Sequence, residues 1–307
     1  MPLDPVLAAV LTQLPPIVSP ESAGDVPAVR AAQAARLTPA FLDQFRPPVA
    51  EVADRTLDVD GRDIPARSYR PGTATPHGTL VFFHGGGWAI GDLESHDIAC
   101  RHLCNGLGMT VLSVDYRLAP EHPFPAGIDD AVAATRWALA NVAELGGDRE
   151  QVLVGGDSAG GNFAAIVAQE LRAERLAAQV LIYPATDASR PYPSADLFAD
   201  GYYLDSASMT LFEDAYFTDP AMLTNPRVSP LLADDLSVLA PAVVVTAEFD
   251  PIRDQGDAYA AALAAAGTVV AHKQFPGLIH GFLNLGPFVP AAAAAIDETV
   301  ELVRKVL

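Results

Sequence analysis

Cysteine is scarce in this chain of 307 residues: Cys100 and Cys104 are the complete set. They stand four apart in a stretch, residues 94–107, whose pattern predicts a helix, and a bridge at that spacing would strain it. Free thiols in a reducing compartment are the expectation, and with them a cytoplasmic location. His96 and His102 lie nearby, and His96, Cys100 and Cys104 share one helical face. Ligands strung along one straight face lie too far apart to converge on an ion, so no metal site is expected. Positive charge is also short. Against 38 acidic residues there are 19 basic ones, a net charge of −19. Nucleic acid and anionic membrane surfaces are therefore poor partners. No apolar run approaches the ~20 residues of a membrane span, so stable membrane anchoring is not expected. The start, Met1-Pro2-Leu3-Asp4-Pro5, carries an acid and no basic residue ahead of its apolar stretch, unlike a secretion signal. Repeats and low-complexity tracts are missing apart from alanine richness, as at 291–295.

Apolar residues are plentiful, making up 50% of the chain. That is enough to build one large core or two small ones, and the alternation of apolar segment types along the chain favours one large α/β domain with extra pieces attached. Residues 1–48 read as a separate helical piece. Leu3, Val6, Leu7, Val10, Leu11 and Leu14 follow helical spacing, and Pro15-Pro16 stops the run. A second amphipathic helix is predicted from Val26 to about Phe45, closed by Pro47-Pro48. Such faces need something to cover: either the main core or a binding pocket, as a lid. Strand-like runs at 51–58 and 64–69 flank Asp60-Gly61, a strong hairpin signal. Strands are then predicted at 79–83, 110–115, 151–155, 179–183, 242–247 and 269–275. Helices are predicted at 94–107, 126–144, 159–174, 254–266 and 291–306. This alternation predicts an α/β fold: a mostly parallel sheet covered on both faces, with antiparallel strands at its start. Residues 187–232 break the rhythm with prolines and aromatics, and read as a second part of a cap. The expected organisation is cap helices over 1–48, a catalytic domain over 49–186 and 233–307, and a cap insertion over 187–232.

Two short motifs carry the chemistry. His84-Gly85-Gly86-Gly87-Trp88 ends one apolar run, and Gly156-Asp157-Ser158-Ala159-Gly160-Gly161 ends another. The second contains G-x-S-x-G at a predicted strand-to-helix turn, which would hold the Ser158 hydroxyl proud of the chain. The first supplies N–H groups unshielded by any Cβ, suited to an oxyanion. Gly85, Gly86 and Ala159 are the expected donors. A serine hydroxyl needs a base. Of the seven histidines, His280 stands out in a loop after the last strand. His272 lies within that strand, His122 in a proline-bound loop, and His84 should brace the glycine loop. His77, His96 and His102 have no strand-end position. The base needs an acid to fix its tautomer. Glu248, Asp250 and Asp254 compete after the strand at 242–247. Asp250, followed by Pro251, is favoured, and Asp254 reads as a helix-start residue. The order Ser158, Asp250, His280 is that of α/β-hydrolases.

The runs HGGGW at 84–88, DYRLAPEHPFP at 115–125, GDSAGGN at 156–162, EFDPIRD at 248–254 and HGF at 280–282 resemble the bacterial hormone-sensitive-lipase-like esterases, over nearly the whole chain. The resemblance implies an α/β-hydrolase with a helical cap, hydrolysing short- to medium-chain carboxylic esters through Ser158, Asp250 and His280 without a cofactor. It also implies a homodimer, and it assigns Asp115, Arg117 and Glu121 to a structural loop, expected as a buried ion-pair network. The same machinery could serve amides, lactones or carbamates, and a non-catalytic receptor on this fold would not need His280.

Overall fold

A computed structural model describes residues 2–19, 24–59, 61–72 and 78–307. Its centre is an eight-stranded sheet in the order β1-β2-β4-β3-β5-β6-β7-β8. The strands are β1 (Glu51–Val59), β2 (Arg62–Arg70), β3 (Thr79–Phe83), β4 (Thr110–Val114), β5 (Val152–Asp157), β6 (Ala178–Ile182), β7 (Ala242–Phe249) and β8 (Val270–Ile279). β1 and β2 form the expected antiparallel hairpin, with Val59 opposite Arg62. Asp60 of the predicted turn, like His77, lies outside the described residues. β2 meets β4 antiparallel, and every later pairing is parallel.

The inner strands β3, β4, β5 and β6 are buried at every residue, as a sheet covered on both faces requires. Alternate side chains feed two cores. Val81, Phe83, Val152 and Val154 point into one, with α5 (Ala126–Ala140), α7 (Ala159–Glu170) and α10 (Arg253–Ala265). Leu80, Phe82, Leu153 and Val180 point into the other, with α4 (Asp97–Leu107) and α11 (Pro290–Val306).

Several element bounds differ from the sequence reading for identifiable reasons. The helix predicted from Val26 to Phe45 is broken into α2 (Val26–Arg36) and α3 (Pro39–Leu42). Pro39 disfavours a helical Thr38, and the Thr38 hydroxyl instead accepts the Phe41 N–H as an N-cap. The helix predicted at 126–144 divides at Asn141 into α5 and α6 (Val142–Leu145). β8 runs on to Ile279, so His280 directly follows a strand instead of sitting mid-loop. Residues 187–232 hold α8 (Pro193–Leu197), α9 (Ser206–Tyr216) and short 3-10 turns.

The first helix, α1 (Pro5–Leu11), is capped by Asp4, whose side chain accepts the Val6 and Leu7 N–H groups. Its apolar stripe packs mainly on the protein core. Leu7 is fully buried there, with Leu3, Val10, Leu11 and Leu14 half-buried around it and Val6 44% exposed. Of that stripe only Leu14 reaches the large cavity described below.

Candidate active site

The loops after β5, β7 and β8 converge on one point above the sheet. Ser158 occupies the turn between β5 and α7 with φ +55, a left-handed conformation that a non-glycine residue adopts only under local constraint. The turn packs so closely on β3 that a Cβ at Gly160 would lie 1.9 Å from the Phe83 carbonyl oxygen, and one at Gly156 would lie 2.4 Å from it. Glycine at both positions is what lets the serine stand at the head of α7.

The base and acid follow. The Ser158 Oγ lies 2.9 Å from His280 Nε2, and His280 Nδ1 lies 2.8 Å from Asp250 Oδ2. A carboxylate only accepts, so Nδ1–H is the donor and Nε2 is left to take the serine proton. Asp250 is fully buried. Its other oxygen accepts the Ile252 N–H at 2.8 Å, which fixes the carboxylate's orientation. The competing acids are engaged elsewhere: Glu248 accepts the Gly277 N–H at 2.8 Å, and Asp254 accepts the Ser194 N–H at 2.9 Å.

The glycine loop lies beside the serine. Gly85, Gly86, Gly87, Ser158 and Ala159 all line one cavity of about 680 Å³. The expectation for Gly85 as an oxyanion donor needs correction. Its N–H already donates to Asp157 Oδ1 at 2.8 Å, which removes it from competition for a substrate oxygen. His84 braces the loop as expected: its Nδ1 lies 2.9 Å from the Gly85 carbonyl and its ring stacks on Tyr116. Burial, with His96 nearby, pushes the His84 imidazole down to about 4, so the ring is neutral at ordinary pH.

Two of the remaining histidines are paired with acids other than Asp250. His272 lies 2.9 Å from Asp257, His102 lies 2.9 Å from Asp297, and His122 is exposed. Among the described residues no group of histidine, cysteine and acid side chains could hold a metal ion. Cys100 and Cys104 are buried and unbridged. No helix of the described residues is long and apolar enough to cross a membrane. The network expected of Asp115, Arg117 and Glu121 does not form among those three. Arg117 pairs with buried Asp130 at 2.8 Å, while Glu121, largely exposed, pairs with Arg30 of α2 at 2.6 Å. Arg30 also donates to the Ala89 carbonyl at 2.6 Å, tying α2 to the chain just beyond the glycine loop.

One group close to the chemistry escaped the sequence reading. Asp157, 3% exposed, lies 3.1 Å from His96 Nε2 and accepts the Tyr183 hydroxyl at 3.2 Å. The sequence reading weighed His96 only as a metal candidate and as a base set aside for lacking a strand-end position. The available signal was an acid directly before the nucleophile, at a position a strand end must bury.

Comparison with known proteins agrees with this geometry. A family model described as the alpha/beta hydrolase fold matches residues 80–284. The chain is 45% identical over 265 residues to the carboxylic ester hydrolase LipN of Mycobacterium tuberculosis, covering 83% of this chain and 70% of LipN. It is 40% identical over 313 residues to the carboxylesterase NlhH of the same species, covering 99% of this chain and 96% of NlhH. The solved structure of a hyperthermophilic esterase from the archaeon Pyrobaculum calidifontis superposes with a TM-score of 0.91 at 38% identity, covering 99% of both chains. A serine, a histidine and a buried aspartate meeting at strand ends, within a chain of this likeness, place the protein in the α/β-hydrolase family, in its hormone-sensitive-lipase-like branch.

Proposed function

We propose that this protein is a serine carboxylesterase acting on acyl chains of about C4 to C8, a size suited to a pocket of ordinary ligand dimensions. The observation that carries the reading is the unbroken chain from Asp250 through His280 to Ser158, at the edge of a mainly apolar cavity. Ser158 Oγ attacks the ester carbonyl as His280 Nε2 takes its proton, and Asp250 stabilises the imidazolium that forms. The oxygen that becomes negative is met by the backbone N–H groups of Gly86, Gly87 and Ala159, with Gly87 in the role first expected of Gly85. His280 returns the proton to the departing alcohol. Water then attacks the acyl-enzyme by the same route, with no cofactor.

Two segments act as a cap. The described part of residues 1–48 that follows α1, together with 187–232, covers the catalytic domain of 49–186 and 233–307, and both contribute to the cavity wall. Val29, Leu37 and Phe41 come from the first, and Ala188, Tyr192 and Phe212 from the second. A cytoplasmic location is supported by the unbridged thiols. A homodimer is supported by the position of β8 at one edge of the sheet, where among the described residues it has no second strand to pair with.

The test is a panel of nitrophenyl esters from acetate to palmitate, with lactone and anilide controls, run on the wild type and Ser158→Ala. Turnover is expected to peak at short to medium esters and to vanish in the variant. Anilide or lactone hydrolysis exceeding that of every ester would replace the reading with amidase or lactonase action.

A further inference from the structure

Asp157 is a buried carboxylate directly before the nucleophile, and the mechanism above does not use it. Its neighbours come from separate parts of the catalytic apparatus. One oxygen accepts the Gly85 N–H at 2.8 Å and faces His96 Nε2 at 3.1 Å. The other accepts the Tyr183 hydroxyl at 3.2 Å. That same Tyr183 oxygen accepts the Leu283 N–H at 3.3 Å, in the turn that follows His280, and the Tyr183 ring packs against His280 with centroids 4.7 Å apart. His96 is itself held, its Nδ1 lying 3.0 Å from the Ser95 hydroxyl.

The approach of Asp157 to the glycine loop is closer than any side chain on that loop would permit. A Cβ at Gly85 would stand 2.5 Å from Asp157 Oδ2 and 3.0 Å from its carbonyl oxygen. Glycine at 85 is therefore needed for this anchoring. Fixing the Gly85 amide fixes the peptide planes that follow it, and these carry the Gly86 and Gly87 N–H groups.

We propose that Asp157 is a positioning residue: it clamps the glycine loop through Gly85 and the His280 turn through Tyr183, and so sets the distance between the oxyanion donors and the catalytic base. The inference rests on the esterase reading. The clamp requires an acceptor oxygen toward Gly85, and the ionised carboxylate offers acceptors on both sides. Burial alone would raise the Asp157 carboxyl, but His96 and the Gly85 N–H outweigh it and hold the group below the usual carboxylate range. Burial, with Asp157 beside it, pushes Tyr183 well above its ordinary value, so its hydroxyl stays a donor. Donors on both oxygens also keep this charge from opposing the oxyanion that forms close by.

The test compares Asp157→Ala, Asp157→Asn and Tyr183→Phe with the wild type, using a nitrophenyl butyrate ester. A nitrophenyl alkylphosphonate, taken to completion, counts active sites. A displaced glycine loop slows each competent site, whereas general structural damage lowers the number of sites. Asp157→Ala is expected to retain a full titre and to lose about a hundredfold in kcat, the order lost with one oxyanion donor, with KM changed less than about threefold. Asp157→Asn, whose amide oxygen can still accept the Gly85 N–H, is expected to recover at least tenfold of that loss. Tyr183→Phe removes only a hydroxyl and should lower kcat several-fold at unchanged KM; it decides the matter if Asp157→Ala does not fold. The proposal is overturned if kcat per titrated site in Asp157→Ala, or in Tyr183→Phe where the former does not fold, equals that of the wild type. It is also overturned if Asp157→Asn is no better than Asp157→Ala. A wild type that neither titrates nor turns over ester would refute the esterase reading itself, a result distinct from all of these.

Discussion

Replacing Asp250 by asparagine should disable the enzyme without disturbing its shape, for a reason visible in the hydrogen bonds. Oδ1 of Asp250 accepts the Ile252 N–H at 2.8 Å, and Oδ2 accepts from His280 Nδ1 at 2.8 Å. An asparagine at this position must keep its oxygen toward the Ile252 N–H, because turning the amide round would set two donors against each other. Its NH₂ then faces His280 Nδ1, which can respond only by accepting. The imidazole proton moves to Nε2 and points at Ser158, so the ring is no longer a base toward the serine. A wrong tautomer of this kind costs roughly 10⁴ in kcat, or about 5.5 kcal/mol of barrier. Glu248→Gln is the control. Glu248 accepts the Gly277 N–H at 2.8 Å, and a glutamine oxygen can do the same, so kcat should stay within about threefold. The assay is kcat on a nitrophenyl butyrate ester, normalised to titrated sites, with the melting temperature measured for each protein. If Asp250→Asn keeps more than a tenth of wild-type turnover, or if Glu248→Gln proves the more impaired of two equally stable proteins, the assignment of the acid is wrong.

The N-terminal helix should matter for stability and not for substrate choice. Leu7→Ala, at a fully buried position, should cost about 2–5 kcal/mol while the ratio of kcat/KM for C8 over C4 esters stays unchanged. Phe41→Ala, in the cavity wall, should shift that ratio at least about threefold. A changed ratio in folded Leu7→Ala would return α1 to the lid. Acid sensitivity should trace in part to His84. Its folded value, about 4, lies below an unfolded value of about 6.5, so the native state binds fewer protons than the unfolded chain between the two. The stability it contributes is complete above about pH 6.5 and is lost as pH falls toward 4, up to about 3 kcal/mol. Asp115 acts in the opposite sense, since burial raises it to about 6, so the comparison must be between proteins. Urea unfolding of His84→Gln should show a shallower loss than the wild type between pH 7 and 4.5, and an equal slope would refute the buried neutral imidazole.

The sheet and the Ser158–His280–Asp250 arrangement were legible because each leaves a local signature. A strand covered on both faces must be apolar throughout, as at 79–83. A serine on a turn wedged against a neighbouring strand must have glycine at 156 and 160. The choice of Asp250 over Glu248 was also local, since a residue beyond the strand end can turn toward the histidine. What could not be read depends on partners far apart in sequence. That Gly85 gives its N–H to Asp157 is a contact across 72 residues, and the loop sequence looks the same whether that amide faces a carboxylate or a substrate. Glu121 finds Arg30 across 91 residues, so a motif that looked self-contained instead fastens α2 to the catalytic domain.

The N-terminal stripe shows the same limit from the other side. Spacing reveals that a helix has an apolar face, but not which apolar surface that face meets. Asp4 settles the question in three dimensions. Its N–H donates to the Gly277 carbonyl at 3.0 Å, drawing the start of α1 against the end of β8. From there Leu7 enters the core beneath the His280 turn. The chain climbs to the cavity only at Leu14, Pro15 and Ile17. A helix that looked like a lid is thus a buttress, and the roof falls to α2, whose anchor to the site is Arg30 on the Ala89 carbonyl. Substrate selection and catalytic geometry are therefore joined at the glycine loop: α2 holds it from the cap side and Asp157 from the sheet side. Changes in the cap that loosen Arg30 should for this reason alter kcat as well as KM, whereas changes confined to the cavity wall should act on KM.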